Sequence, residues 1–255
     1  MPVMDEFREE REAMRQKSLK ERFQYFIDYY KWHVIGGVAL IVFAISMIHS
    51  VTSRKEWAFY GAFINAYQTP DYNAFCEDFA EYADIDLGIY DVMLDSNIYI
   101  TDSVFDQGNV DTMERLMVYI AAGDMDAMVS GPSIINRYAY YDTFQDLRQL
   151  LPQELQTQLE PYYYYMDMAL ADEFDALRES GEADDVPPYP ADPSSPEGME
   201  NPVPVGLYIQ DCPRIQEAFI FQEEEVILGA AGNVTDTDAI LAFIRMIYEI
   251  EDYTD

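Results

Sequence analysis

Two aspartates one residue apart, Asp124 and Asp126, stand in the run AAGDMDAMVSGPS at residues 121–133. In extended backbone, side chains at i and i+2 project to the same side, so this pair could offer two carboxylates to one cation. The same letters also spell a turn. Gly123 stops a helix, Asp126 begins a short apolar strand, and Gly131-Pro132 launches another helix. The turn is the expected role, with Asp124 and Asp126 kept as weak metal-ligand candidates. A ligand near this stretch is expected at Ser130, Gly131 and Ser133, where a strand ends and a helix N-terminus opens, with Asp95 as a further candidate.

Other chemistries lack their residues. The only histidines are His33 and His49, so the remainder of the chain cannot build a Ser-His-Asp or Cys-His nucleophile or a histidine zinc site. Ser130 and Ser133 have no base to activate them. The oxygen-rich run at 95–111 does not follow the alternating calcium-loop pattern, and no glycine-rich phosphate or dinucleotide loop occurs. No cofactor is expected, and the chain is not read as an enzyme. A metal-assisted hydrolase built from the acids is the weakest alternative. Tyr162–Tyr165 read as strand residues placing two rings on each face, Asn233 as a helix cap despite its glycosylation sequon, and Cys76 and Cys212 as thiols whose pairing stays open.

Charge divides the chain sharply. Residues 1–33 hold seven basic and seven acidic side chains, whereas residues 54–255 hold 8 basic against 41 acidic, the whole of the net charge of -33. Such a surface repels phosphate backbones, so nucleic acid is not an expected partner; a cation, a small solute or a basic protein suits it better. Between the two parts, Trp32 to Ser53 spans 22 residues without Asp, Glu, Lys or Arg. As a helix this crosses a hydrocarbon layer of about 30 Å. Trp32 and His33 at one end and His49 at the other are read as interfacial anchors. The basic flank is N-terminal, so the expected orientation puts the N-terminus in the cytoplasm and the C-terminal domain outside the cell membrane. Ala44-Ile45-Ser46 resembles a signal cleavage site, but an uncleaved anchor is favoured because the preceding region is long and acid-containing.

Three regions follow: a juxtamembrane helix at 1–31, a membrane helix at 32–53 and an α/β domain at 54–255. Leu19, Phe23, Phe26, Ile27 and Tyr30 make an apolar stripe, either lying in the interface or extending the membrane helix. In the domain, strand patterns at 57–67, 90–100 and 126–130 alternate with helical ones that start near Asp71, Asn109 and Pro132. Later strands are expected at 162–166, 204–209 and 224–232. A helix is expected at 172–180, and the strongest one after Thr235 or Asp236. Residues 180–204, with seven prolines, read as an exposed loop.

The positions Ala122, Gly123, Asp124, Asp126 and Asp146-Leu147, with Pro204-Val205-Gly206 and Asn233 through Ala242-Phe243-Ile244, carry a resemblance. They are similar to motifs of extracellular solute-binding proteins of the type 2 periplasmic-binding fold, over residues 57–155 and more loosely 200–250. The resemblance implies a three-layer α/β lobe, truncated and held by a membrane helix instead of a lipidated cysteine. It implies a binding or sensing module with its ligand at the C-terminal ends of parallel strands. The alternative expectation is a structural or assembly component of a cell-envelope complex, with a membrane protein as partner.

Overall fold

The structure, a computed structural model, describes residues 18–52, 55–101, 107–171, 173, 189–233 and 237–250. It divides into two units, residues 1–54 and 55–255. In the first, α1 (Leu19–Thr52) is one unbroken helix of 34 residues, about 51 Å long at 1.5 Å per residue. The apolar stripe therefore belongs to an extension of the apolar segment. Within α1, Lys31–His49 is long and apolar enough to cross a membrane, and none of it is buried by protein. Trp32, Ile35, Leu40, Ile41, Phe43 and Ile48 are among its exposed apolar side chains, a composition that suits a hydrocarbon layer. His33 and His49 are exposed at its two ends.

The second unit is built on β1 (Glu56–Ile64). Its side chains alternate: Phe59 and Phe63 enter one core, Tyr60, Ala62 and Ile64 the other. A strand apolar on both faces must lie inside a sheet covered on both sides. The chain then crosses over twice. It passes through α2 (Tyr72–Tyr82) to β3 (Tyr90–Ile98) on one face, and through α3 (Gln107–Ala122) to β4 (Ala127–Ser130) on the other. Phe75 and Phe79 of α2 join the Phe59 core, and Leu116 of α3 joins the Tyr60 core. Both crossovers leave β3, β1 and β4 parallel.

After β4 come α4 (Pro132–Ala139), α5 (Leu147–Leu150), α6 (Gln153–Leu159), β5 (Tyr163–Asp167), β6 (Pro202–Tyr208), α7 (Pro213–Ala218), β7 (Phe219–Phe221), β8 (Ile227–Ala230) and α8 (Asp238–Ile247). The sheet order is β3-β1-β4-β8-β6-β5, with β8 antiparallel to both its neighbours and β5 antiparallel to β6. The α/β expectation thus holds with a mixed sheet. Phe243 of α8 closes the first core, its ring 5.0 Å from Phe59 and 5.1 Å from Phe79. Tyr163 packs in that core and Tyr164 in the other, as the alternating reading of the tyrosine run requires; Tyr162 falls before the strand and is exposed.

Several local expectations are corrected. The apolar run 57–67 is two strands: Asn65 takes a left-handed φ of 58°, and β2 (Ala66–Gln68) leaves the main sheet to pair with β7. Asn tolerates that conformation better than most residues. Its side chain also accepts from the Ile100 N–H (3.0 Å) and donates to the Ile100 carbonyl (2.9 Å), tying β1 to the exit of β3. Asn109 does not cap α3, which begins at Gln107; it is buried and clasps the backbone of Thr101. Cys76 and Cys212 are free thiols, and burial raises that of Cys212 to about 11, so it stays protonated at neutral pH. Apart from Glu173, the helix expected at 172–180 lies outside the described residues, as do Thr235 and Asp236; the cap expected at one of those two is instead at Thr237, directly before α8.

The loop expected at 180–204 is not wholly loose where it is described. The Tyr165 N–H donates to the Pro193 carbonyl (2.7 Å), and the Met168 N–H to that of Asn201 (2.9 Å), which continues the β5–β6 pairing by one residue. Asp167 accepts from the N–H groups of Glu200 (2.9 Å), Asn201 (2.8 Å) and Ala169 (3.1 Å). Burial works to raise this carboxyl, but the three donors outweigh it and hold it below the usual carboxylate range. A group with a depressed folded pKa stabilises above its unfolded value, about 3.9, and that contribution is lost as pH falls through the folded value. Asp167→Ala is therefore expected to lower stability by about 1–3 kcal/mol at pH 7. In denaturant melts the difference from the parent should shrink steadily below about pH 4; a gap independent of pH would contradict the assigned role.

Candidate functional site

The C-terminal ends of β1 and β4, where a ligand was expected, are occupied by the chain itself. Ser130 is 1% exposed and projects toward the α3–α4 side of the sheet. Its Oγ has no hydrogen-bond partner. Gly131 is covered by Glu223: a Cβ there would lie 2.7 Å from the Glu223 Cγ. Ser133 is exposed on the first turn of α4. Asp95 is engaged locally, accepting from the Asn97 N–H (2.9 Å) and from the Tyr60 hydroxyl (3.4 Å). These residues line no described cleft. A carboxylate against the α4 N-terminus also disfavours the anion that such a terminus would attract.

A cleft of about 860 Å³ opens at the opposite end, beside the N-terminal ends of the parallel strands. The starts of β1 and β3, the turns leading into β3 and β4, and Ala239 of α8 form its wall. Five carboxylates line it, Glu56, Asp84, Asp86, Asp124 and Asp126, with Lys55 as the one lining base. Lys55 is itself engaged by the Leu87 carbonyl and lies 3.6 Å from Asp91. Trp57 and Tyr90, 40% and 42% exposed, supply aromatic surface, and Trp57 is held by stacking on Tyr60 at 4.7 Å between ring centres.

Local sequence explains why the acids gather here. Gly123 adopts φ 75° and ends α3; its N–H bonds the Ile120 carbonyl and the Asp124 N–H bonds that of Tyr119. The Asn233 side chain donates to the same Ile120 carbonyl, which is its role in place of the expected cap. Met125 is then fully buried, leaving Asp124 exposed and Asp126 half-buried on the same side. The two differ in function. The Asp126 Oδ2 accepts from the Tyr60 N–H at 2.7 Å, and its backbone pairs with Tyr60 (2.9 Å) on one side and Ala231 (2.9 Å) on the other. Asp126 therefore extends β4 as a structural clamp. Asp124 is free of that duty and faces the cleft.

The preceding crossover repeats the arrangement. After α2, Asp84 takes φ 53°, the Ile85 N–H bonds Ala80, and Asp86 accepts from the Gly88 N–H (2.7 Å) before β3 begins. Helix, Asp-x-Asp, strand thus occurs twice, and the parallel sheet sets the two turns side by side. The second pair was missed from sequence although its spacing was visible; Lys55, Trp57 and Tyr90 carried no signal, since only the strand register unites them. The cleft also receives the C-terminal ends of α2 and α3, whose dipoles add negative potential to that of the carboxylates. Among the described residues no group of three His, Cys, Asp or Glu side chains converges as a metal site. The lining holds no Ser, Thr, Cys or His to act as nucleophile or base partner.

No family model, curated protein or solved structure matches this chain.

The division of labour between the two aspartates is testable by thermal melts. Asp126→Ala leaves the Tyr60 N–H without its acceptor and is expected to cost about 1–3 kcal/mol, a fall of several degrees in Tm. Asp124→Ala should stay within about 0.5 kcal/mol of the parent. Equal effects would refute the distinction.

Proposed function

We propose that the protein is a membrane-anchored binding module whose extracytoplasmic domain takes a cationic organic group in the acidic cleft. The observation that carries this reading is the concentration of five carboxylates and two helix C-termini around exposed Trp57 and Tyr90. An ammonium or guanidinium group gains from each of these, through charge–charge attraction, helix-end dipoles and the faces of the rings. A bare divalent ion is served less well, because the carboxylates do not converge and two of them, on Asp86 and Asp126, already accept backbone N–H groups. The class of role is the one expected from the sequence, with the site at the other end of the strands. α1 would hold the domain at the cell membrane, N-terminus inside, following the basic flank. The assembly reading draws support from the open edge of the sheet considered below.

In detergent micelles, the full chain titrated with 1,5-diaminopentane or N-acetyl-lysine amide is expected to show a rise in Tm and saturable binding that weakens with salt. Asp124→Asn and Asp86→Asn each remove one charge, and in the second the new amide oxygen can still accept from the Gly88 N–H. Each should weaken binding about fivefold, as expected for partly exposed ion pairs near 1 kcal/mol. Acetate should not bind. Amine binding unaffected by both substitutions would place it elsewhere, and no binding at millimolar concentration would end the proposal.

A further inference from the structure

The two edges of the six-stranded sheet are treated differently. Along β5 the chain occupies part of its own edge, the Tyr165 N–H donating to the Pro193 carbonyl of the loop before β6. Beyond β3 no described strand is paired. Exposed edges usually carry lysine, proline or a bulge, or are kept short, because unpaired N–H and C=O groups recruit other strands. β3 is nine residues long and contains neither lysine nor proline. Opposite Asp91 and Val92 the extra residue, Ala58, lies on β1; from Val92 to Asp95 β3 advances one for one against β1, and beyond Asp95 it gains an extra residue itself. The four residues Val92–Asp95 present about 13 Å of regular edge, and Tyr90 and Asp91 continue β3 before the shift.

The side chains along that edge are specific in kind. Asp91, Met93 and Asp95 share one face, and Tyr90, Val92 and Leu94 the other. Ile89, Tyr90 and Met93 are 60%, 42% and 37% exposed, so apolar surface is open next to the acids. A lysine ammonium already reaches this row, Lys55 lying 3.6 Å from Asp91. From residue 54 onward acids outnumber bases 41 to 8, which opposes a second copy of the chain and attracts a basic one.

We propose that β3 accepts an extended segment of a partner protein, basic and apolar residues alternating, as a seventh strand. Main-chain hydrogen bonds would hold the segment. Its lysines or arginines would face the Asp91–Asp95 row, their stems lying over Met93, and its apolar side chains would cover Tyr90 and Val92. This does not rest on the cleft reading, although Tyr90 borders both surfaces.

The probe is a capped peptide of four Lys-Val repeats, added to the full chain in detergent micelles and followed by fluorescence anisotropy and hydrogen exchange. Saturable binding is expected, with exchange of the 90–95 amides slowed at least tenfold. The same peptide N-methylated at alternate amides should bind at least tenfold more weakly, since it keeps its charge and loses the ladder, and a Glu-Val peptide should not bind. Met93→Lys should weaken binding at least fivefold with Tm retained; if that variant fails to fold, the N-methylated peptide decides on the parent protein. Four outcomes overturn the proposal. These are no binding; equal binding of the N-methylated peptide; protection confined to residues 56–58, 84–86 and 124–126, which would assign the peptide to the cleft; and protection of 90–95 produced by raising protein concentration without peptide, which would assign the edge to a second copy.

Discussion

The domain depends on β1 being apolar on both faces. Phe59 and Phe63 on one side and Tyr60 and Ile64 on the other cannot be left in water. Burying either set alone would still expose two large side chains, at about 1.5–3 kcal/mol each. Helices are therefore required above and below. With β1 inside the sheet, one crossover goes to each side of it, through α2 to β3 and through α3 to β4. The cleft follows from that choice. Two parallel strands flanking β1 must each be entered from a helix on opposite faces, so two helix-to-strand turns meet at one end of the sheet. Whatever residues those turns contain are brought together, and here each contains Asp-x-Asp.

The placement of the carboxylates runs against local preference. Asp and Glu stabilise helix N-termini and are disfavoured at C-termini, where the peptide dipoles already point their negative ends. Asp84 and Asp124 nevertheless follow α2 and α3 directly, and Asp84 also holds a positive φ. Asp126 has a structural reason to be where it is, the Tyr60 N–H. Asp86 has one too, the Gly88 N–H, although other turn residues would serve there. Asp124 has none in packing. Unfavourable local electrostatics with no structural return is the pattern expected where function selects the residue.

Much of the architecture was legible because it rests on periodicity. The two-sided strand, the helix stops at Gly123, the Pro132 start and the split of Tyr163 and Tyr164 between cores all follow from spacing alone. What escaped depended on partners distant in the chain. Asn65, Asn109 and Asn233 were read as part of a strand, a cap and a cap, yet each clasps backbone elsewhere, at Ile100, Thr101 and Ile120. An asparagine side chain offers both a donor and an acceptor, so it can mimic a peptide group across a gap between elements. No local pattern records which gap it will bridge. The acidic cleft escaped for a related reason. Strand-end logic pointed to Ser130–Ser133, but Glu223, some ninety residues on, folds over Gly131.

Net charge is a poor guide to where a cation would bind on this domain. At physiological ionic strength the Debye length is about 8 Å, so most of the acids between residues 54 and 255 act on a bound cation only weakly. Their collective field speeds encounter and discourages self-association without choosing a spot. Selection must come from groups within a few ångströms of the ligand and shielded from solvent on one side. The cleft meets that requirement because Trp57 and Tyr90 form a low-dielectric wall beside the carboxylates. The same acids on an open face would be screened to near silence. Between two surfaces of equal charge density, the one backed by aromatic rings and helix ends is the better cation site.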